Sequence, residues 1–202
     1  MQAVFDLCPG VRVDLPINEW PLPYVENLQA RDRGQIELVV IHCTELPGLA
    51  AARVAGERVL YPSGTGNSGH FYIDRDGQVH VWVPIERVAH HVRGHNARSI
   101  GIELINRGRF PDWLARDSQQ MSEPYSAEQI ASLRALLAEL GQQLPTLSQI
   151  AGHEDLDTEQ VAASDDRGSR VFRKRDPGPL FPWAQVLAGL PLTRTAGSDS
   201  AP

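Results

Sequence analysis

The chain has 202 residues, 42% hydrophobic and 22% charged, with 19 Lys+Arg against 25 Asp+Glu and a formal net charge of −6. A chain of this size can bury about 70% of its unfolded surface, so one domain with loops and tails is expected. The negative balance argues against a nucleic-acid partner, which needs a basic face, and two cysteines are too few for a disulfide framework or a cysteine-rich metal site.

Residues 1–34 are rich in Pro, Asn, Asp and Arg and read as an irregular arm packed on the domain through Trp20 and Tyr24. The amino terminus carries Asp6 and no basic residue before Arg12, without an apolar stretch of signal-peptide length. No run reaches membrane-spanning length either, so a cytoplasmic protein without a membrane partner is expected. Residues 36–43, IELVVIHC, suit a strand buried on both faces, with His42 near its end. PGLAAARVAGERVL holds one helix, and YPSGTGNSG is a loop with turn chemistry. HFYIDRDGQVHVWVP predicts a hairpin turning at Gly77, with Phe71, Ile73, Val79, Val81 and Val83 inward and His70, Tyr72, His80 and Trp82 opposite.

After a polar stretch with His90, His91 and His95, SIGIELIN predicts a strand with Ile100, Ile102 and Leu104 on one face and Gly101, Glu103 and Ile105 on the other. Residues 126–144 predict the longest helix, capped by a Ser126/Gln129 box, with a stripe of Ile130, Leu133, Leu136, Leu137 and Leu140. TLSQIAGH is a short apolar strand or turn leading to His153. A charged surface excursion spans 154–173, and DPGPLFPW precedes a short helix through Val186 and Leu187. Residues 191–202 read as a disordered tail. Mixed order with a hairpin predicts a single α/β domain over 35–190, a mixed sheet flanked by helices.

Glu103 is the most informative residue, because a carboxylate in the middle of IGIELI costs several kcal/mol to bury unpaired. Either the strand lies at a sheet edge, where the carboxylate is solvated or paired with an arginine, or Glu103 is a general base with a raised pKa, or a carboxylate near a metal. His42 and His153 end apolar runs and so reach one rim of the sheet; with Asp176 they form a candidate zinc set, although their spacing alone does not decide it. Three protein ligands leave a position for water, whose pKa zinc brings to about 7. Lys174, two residues before Asp176, leaves an extended chain on the same side and could stabilise an oxyanion; the plain alternative is a solvated run of Arg173, Lys174 and Arg175. Cys43 points away from its neighbour His42 and reads as core. The histidines at 90, 91 and 95 read as exposed.

VVIHCTE, SGHFYIDRDGQVHVWVP, AHH, SIGIELIN, AGHEDL and KRDPGPLFPW, in that order, resemble the zinc-dependent N-acetylmuramoyl-L-alanine amidases of AmpD type. That superfamily also holds phage lysozyme-like amidases and peptidoglycan recognition proteins, and the resemblance runs over residues 36–187. It implies His42, His153 and Asp176 as Zn2+ ligands, Glu103 as acid/base and Lys174 as the stabiliser of the transition state. It also implies His91 near the muropeptide, Asn106 as a substrate contact, and His70 as a structural residue or one close to substrate. The chain departs from the family's A-W-H-A-G with His90 and Val92, and its excursion after His153 is longer. The implied reaction cleaves the lactyl-amide bond to L-alanine; the lack of an export signal points to soluble 1,6-anhydro-muropeptides, with a phage-type lytic or unconventionally exported amidase as the alternative, and a monomer is the default expectation. A non-catalytic muropeptide-binding module is the rival reading, and a cysteine hydrolase built on Cys43 a weaker third.

Overall fold

In a computed structural model describing residues 17–195, the chain forms β1 (Ile17–Glu19), β2 (Leu38–Cys43), α1 (Leu49–Gly56), β3 (Phe71–Ile73), β4 (Val79–Val81) and β5 (Ser99–Leu104). It continues with α2 (Ala127–Gln143), β6 (Gln149–Gly152), α3 (His153–Leu156), β7 (Gln160–Ala162), β8 (Arg170–Phe172), α4 (Trp183–Leu187) and β9 (Thr193–Arg194). Seven strands make one mixed sheet in the order β1-β4-β3-β5-β2-β6-β9, in which only the β3–β4 pair is antiparallel. The expected α/β architecture follows from the residues: β2 is buried along its whole length, as a parallel strand covered on both faces must be.

One face of the sheet packs on α2. Ser126 Oγ accepts the Gln129 N–H at 3.0 Å and Gln129 Oε1 accepts the Ser126 N–H at 3.2 Å, closing the predicted box. The stripe from Ile130 to Leu140 then meets Val39, Ile41, Ile100, Ile102 and Leu104 in the main core. On the other face Leu22, Tyr24, Ala52, Tyr72, Trp82, Val83 and Ile105 form a second cluster.

Three expectations change. The arm is not simply irregular, because Ile17–Glu19 pairs with Val79–Val81 as an edge strand; Trp20 then stacks over the Arg53 guanidinium at 4.4 Å. Val83 joins the Trp82 side rather than the Phe71 side, since β4 ends at Val81 and strict alternation ends with it. The tail is ordered at its start: Leu192 is buried, and Thr193–Arg194 pairs with β6 while Arg194 holds Asp155 at 2.9 Å. Asp6, Cys8, Arg12 and the tail beyond residue 195 lie outside the described residues. The excursion forms the separate ribbon β7–β8. No described helix is long and apolar enough to cross a membrane.

Candidate active site

Register assembles the site. Parallel pairing sets His42 of β2 beside Glu103 of β5, and Glu103 beside Tyr72 of β3, so three side chains form a row across three strands. Since Ile100, Ile102 and Leu104 occupy the α2 face, the pleat turns Glu103 to the opposite one. Gly152 of β6 pairs with Ile41, which brings the next residue, His153, alongside His42. The Glu154 N–H then donates to the Asp176 carbonyl at 2.9 Å and ties the distant 176 segment to the same rim. A Cβ at Gly152 would lie 2.8 Å from Pro177 Cδ, so the bare glycine permits that approach.

His42 Nδ1 and His153 Nδ1 stand 2.9 and 3.1 Å from Asp176 Oδ2, and all three residues are buried. Their ligand atoms lie within 4.8 Å of one another. Asp176 Oδ1 is buried without a partner, which is costly for a carboxylate unless a cation meets the group. Two imidazole nitrogens and one carboxylate oxygen converging in this way fit a divalent metal of intermediate softness. Burial lowers the His42 pKa to about 4, keeping the imidazole neutral, the form that ligates. Burial alone would raise Asp176, but His153 and His42 overcome it and hold the carboxyl well below its ordinary range.

Glu103 Oε1 lies 4.0 Å from His42 Nδ1. Its strand is not at an edge: β5 sits between β3 and β2, and no arginine pairs with Glu103 among the described residues. Burial and the nearby Asp176 raise the Glu103 pKa to about 8, against an opposing pull from Lys174. A Cβ at Gly69 would come within 2.8 Å of Glu103 Cγ, so that glycine makes room for the carboxyl. Lys174 is half-buried and lines the same cleft, which encloses about 1220 Å3 and is walled by Tyr61, Arg93, Phe110 and Trp113 as well.

The remaining expected residues divide. His91 is partly buried rather than exposed and lines the cleft, with Nδ1 3.0 Å from His42 Nε2. His70 does not reach the cleft: fully buried, its Nδ1 accepts the Gly101 N–H at 3.0 Å and its Nε2 faces the Arg87 carbonyl at 3.0 Å. Asn106 is likewise withdrawn, donating to the Glu123 carbonyl at 3.1 Å and accepting the Gly108 N–H at 2.9 Å. The expected substrate contact of Asn106 is therefore corrected, and of the two roles expected for His70 the structural one fits, because backbone groups of neighbouring loops consume the polar atoms of both side chains. Cys43 follows His42 on β2 and so leaves the opposite face of the strand, and burial pushes its thiol well above the ordinary value, which disfavours the thiolate that a nucleophile needs.

Sequence reasoning missed Glu45 and Arg109. Arg109 is buried and gives Nε to Glu45 Oε1 at 2.6 Å and Nη2 to Oε2 at 2.8 Å; its Nη1 donates to the Phe172 carbonyl at 2.9 Å. The fork thus joins the loop after His42 to the segment leading into Lys174. Glu45 adopts φ 48, a left-handed conformation, above Gly108, where a Cβ would lie 2.6 Å from Glu45 Cγ. The two partners are 64 positions apart and nothing local distinguishes Arg109 from a solvated arginine; the bare Gly108 beside it was the one available signal.

Comparison with known proteins follows the same outline. Residues 32–179 match the family described as N-acetylmuramoyl-L-alanine amidase. Over 121 residues, the chain is 33% identical to the N-acetylmuramoyl-L-alanine amidase AmiD of Escherichia coli (strain K12), covering 55% of this chain but only 38% of that relative. In structure it resembles an AmpD derivative with a TM-score of 0.64 and 24% identity, covering 88% of this chain and 94% of the other. It also resembles AmiD from E. coli in complex with the substrate anhydro-N-acetylmuramic acid-L-Ala-D-gamma-Glu-L-Lys, with a TM-score of 0.57, 23% identity and coverage of 79% and 58%. At these identities the structural likenesses establish the fold.

Proposed function

The chain belongs to the N-acetylmuramoyl-L-alanine amidase family, and from that premise we propose that it hydrolyses the amide joining the lactyl group of a muramic acid to the L-alanine of its stem peptide, with zinc held by His42, His153 and Asp176. The observation that carries this reading is the convergence of those three ligand atoms within 4.8 Å beside a buried glutamate. Zinc bound there supplies Lewis acidity, polarising an amide carbonyl and making water nucleophilic near neutral pH.

The chain's own groups then divide the work. Glu103 takes the proton of the attacking water on its carboxylate and returns it to the departing alanine nitrogen. Burial and Asp176 raise its pKa to about 8, well above the ordinary carboxylate range, so that one carboxyl can hold a proton and return it to the leaving nitrogen. Lys174 presents its ammonium to the oxygen that gains negative charge. Glu45 and Arg109 hold the backbone on which Lys174 is carried. A non-catalytic binding module is not favoured, because every metal and proton-handling position is filled.

We take the substrate to be a soluble 1,6-anhydro-muropeptide of the kind bound by the related AmiD. A net charge of −6 offers no attraction to an anionic wall polymer, which supports soluble fragments over intact wall as the substrate. The test is zinc content together with mass-spectrometric detection of the free sugar and stem peptide from an anhydro-muropeptide, run beside whole sacculi. Stoichiometric zinc and cleavage abolished by a chelator are expected, with soluble fragments preferred. Protein that neither holds zinc nor cleaves on its addition would overturn the reading.

A further inference from the structure

We propose that His91 is a positioning residue for the metal, fixing through Ser99 which nitrogen of His42 stays free to ligate. The inference deepens the zinc reading above and rests on it, and it replaces the expected substrate contact of His91 with a different task.

A backbone carbonyl only accepts, so the Ser99 hydroxyl, 2.8 Å from the His95 carbonyl oxygen, must spend its proton there. Ser99 Oγ then has only lone pairs for His91 Nε2, 3.2 Å away, so that nitrogen carries the imidazole proton. His91 is left with a bare Nδ1, which faces His42 Nε2 at 3.0 Å and accepts its proton. With its proton at Nε2, His42 keeps a lone pair on Nδ1, the atom directed at Asp176 Oδ2 and His153. Reversing any link would set two protons or two lone pairs face to face.

Surrounding residues hold this chain of bonds in place. Ser99 is fully buried, so water does not compete for its hydroxyl. The backbone N–H groups of His91 and Val92 both donate to Asn96 Oδ1, at 3.0 and 2.8 Å. Gly101 lies under the ring: a Cβ there would fall 2.6 Å from His91 Cγ, so the imidazole can be seated only over a glycine. Partners of this type, set behind a ligating histidine, orient it and typically contribute 10- to 100-fold in metal affinity.

The experiment measures zinc dissociation constants of the full chain by competition with a chromophoric chelator, beside thermal unfolding of each zinc-free variant and kcat and KM at saturating zinc. His91→Phe keeps the ring and removes both nitrogens; His91→Gln restores one acceptor and one donor; Ser99→Ala removes the terminus of the chain. Zinc binding about 10- to 100-fold weaker is expected for His91→Phe, with a smaller loss for Ser99→Ala and recovery toward wild type in His91→Gln. Nitrogen NMR of the imidazoles in the zinc-loaded wild type should find the His42 proton on Nε2. Unchanged zinc affinity in both His91→Phe and Ser99→Ala would overturn the inference, as would a raised KM with zinc affinity intact, the mark of a substrate contact. Should His91→Phe fail to fold, Ser99→Ala and the NMR signature decide alone. Failure of the wild type itself to bind zinc would instead remove the metal reading on which this rests.

Discussion

The two faces of the central sheet are built on opposite principles. Toward α2, Val39, Ile41, Ile100, Ile102 and Leu104 meet Leu133, Leu136, Leu137 and Leu140 in a continuous apolar layer. On the other side the same strands present His42 and Glu103, with Ser99 and Gly101 behind them, and the apolar residues are split into two smaller clusters, one around Tyr72 and Trp82 and one of Leu38, Val40, Val92 and Ala151. A strand has period two, so one run of residues can serve both ends. Buried imidazoles and carboxyls cost stability, and the layer under α2 offsets that cost without touching the cleft.

If that division holds, substitutions should separate activity from stability according to the face they touch. The largest effect is expected from Glu103→Gln: kcat should fall about 10²- to 10⁴-fold, or about 3–5 kcal/mol, while the melting temperature holds or rises, because the neutral amide is cheaper to bury. A fall in stability parallel to the fall in activity would show the carboxylate to be structural and break the contrast. Leu133→Ala on the other face should cost about 2–5 kcal/mol in urea unfolding, with kcat per folded molecule unchanged. An activity loss beyond the unfolded fraction would mean that the layers are coupled.

A pH titration sharpens the comparison at a third point. Burial, and then Arg31, lower the His70 pKa to about 3, below its unfolded value of about 6.5. The unfolded chain therefore binds the proton first, and the stability gained from a neutral His70 is complete above about pH 6.5 and is lost as pH falls toward 3. The slope is about 1.4 kcal/mol per pH unit, or about 2 kcal/mol by pH 5, and should shrink in a His70→Gln variant when unfolding is followed at pH 5 and 7. An unchanged slope would assign the acid sensitivity to other groups. Ser126→Ala should give the smallest effect, about 1 kcal/mol, by removing one half of the α2 cap, with catalysis unaffected in the same assay. A change in KM there would reveal a path from the helix to the cleft.

Legibility in the sequence followed the range of the interactions. The α2 stripe and its cap, the alternation in SIGIELIN and the burial of VVIHC are local patterns, and the structure contains them where the periodicity placed them. Glu103 stood out because a carboxylate is costly within such a run, yet its central position came only from the pairing of β5 with both β2 and β3. Polar residues in loops were the least readable. His70 and Asn106 had the composition of cleft residues, but backbone groups of distant loops satisfy them; His91, read as exposed, found a partner 49 positions away.

By itself, then, the sequence determined the period of each element, the face on which apolar mass would collect and the residue types available for metal and proton chemistry, since these depend on neighbours a few positions apart. Tertiary structure alone decided that His42, His153 and Asp176 converge, that Arg109 clamps Glu45, and that the proton on His42 is directed by a chain ending at the His95 carbonyl. Those outcomes depend on strand register and loop packing, where contacts join residues tens to more than a hundred positions apart. Which of several chemically equivalent histidines, arginines or carboxyls is used is settled only when the sheet closes around them.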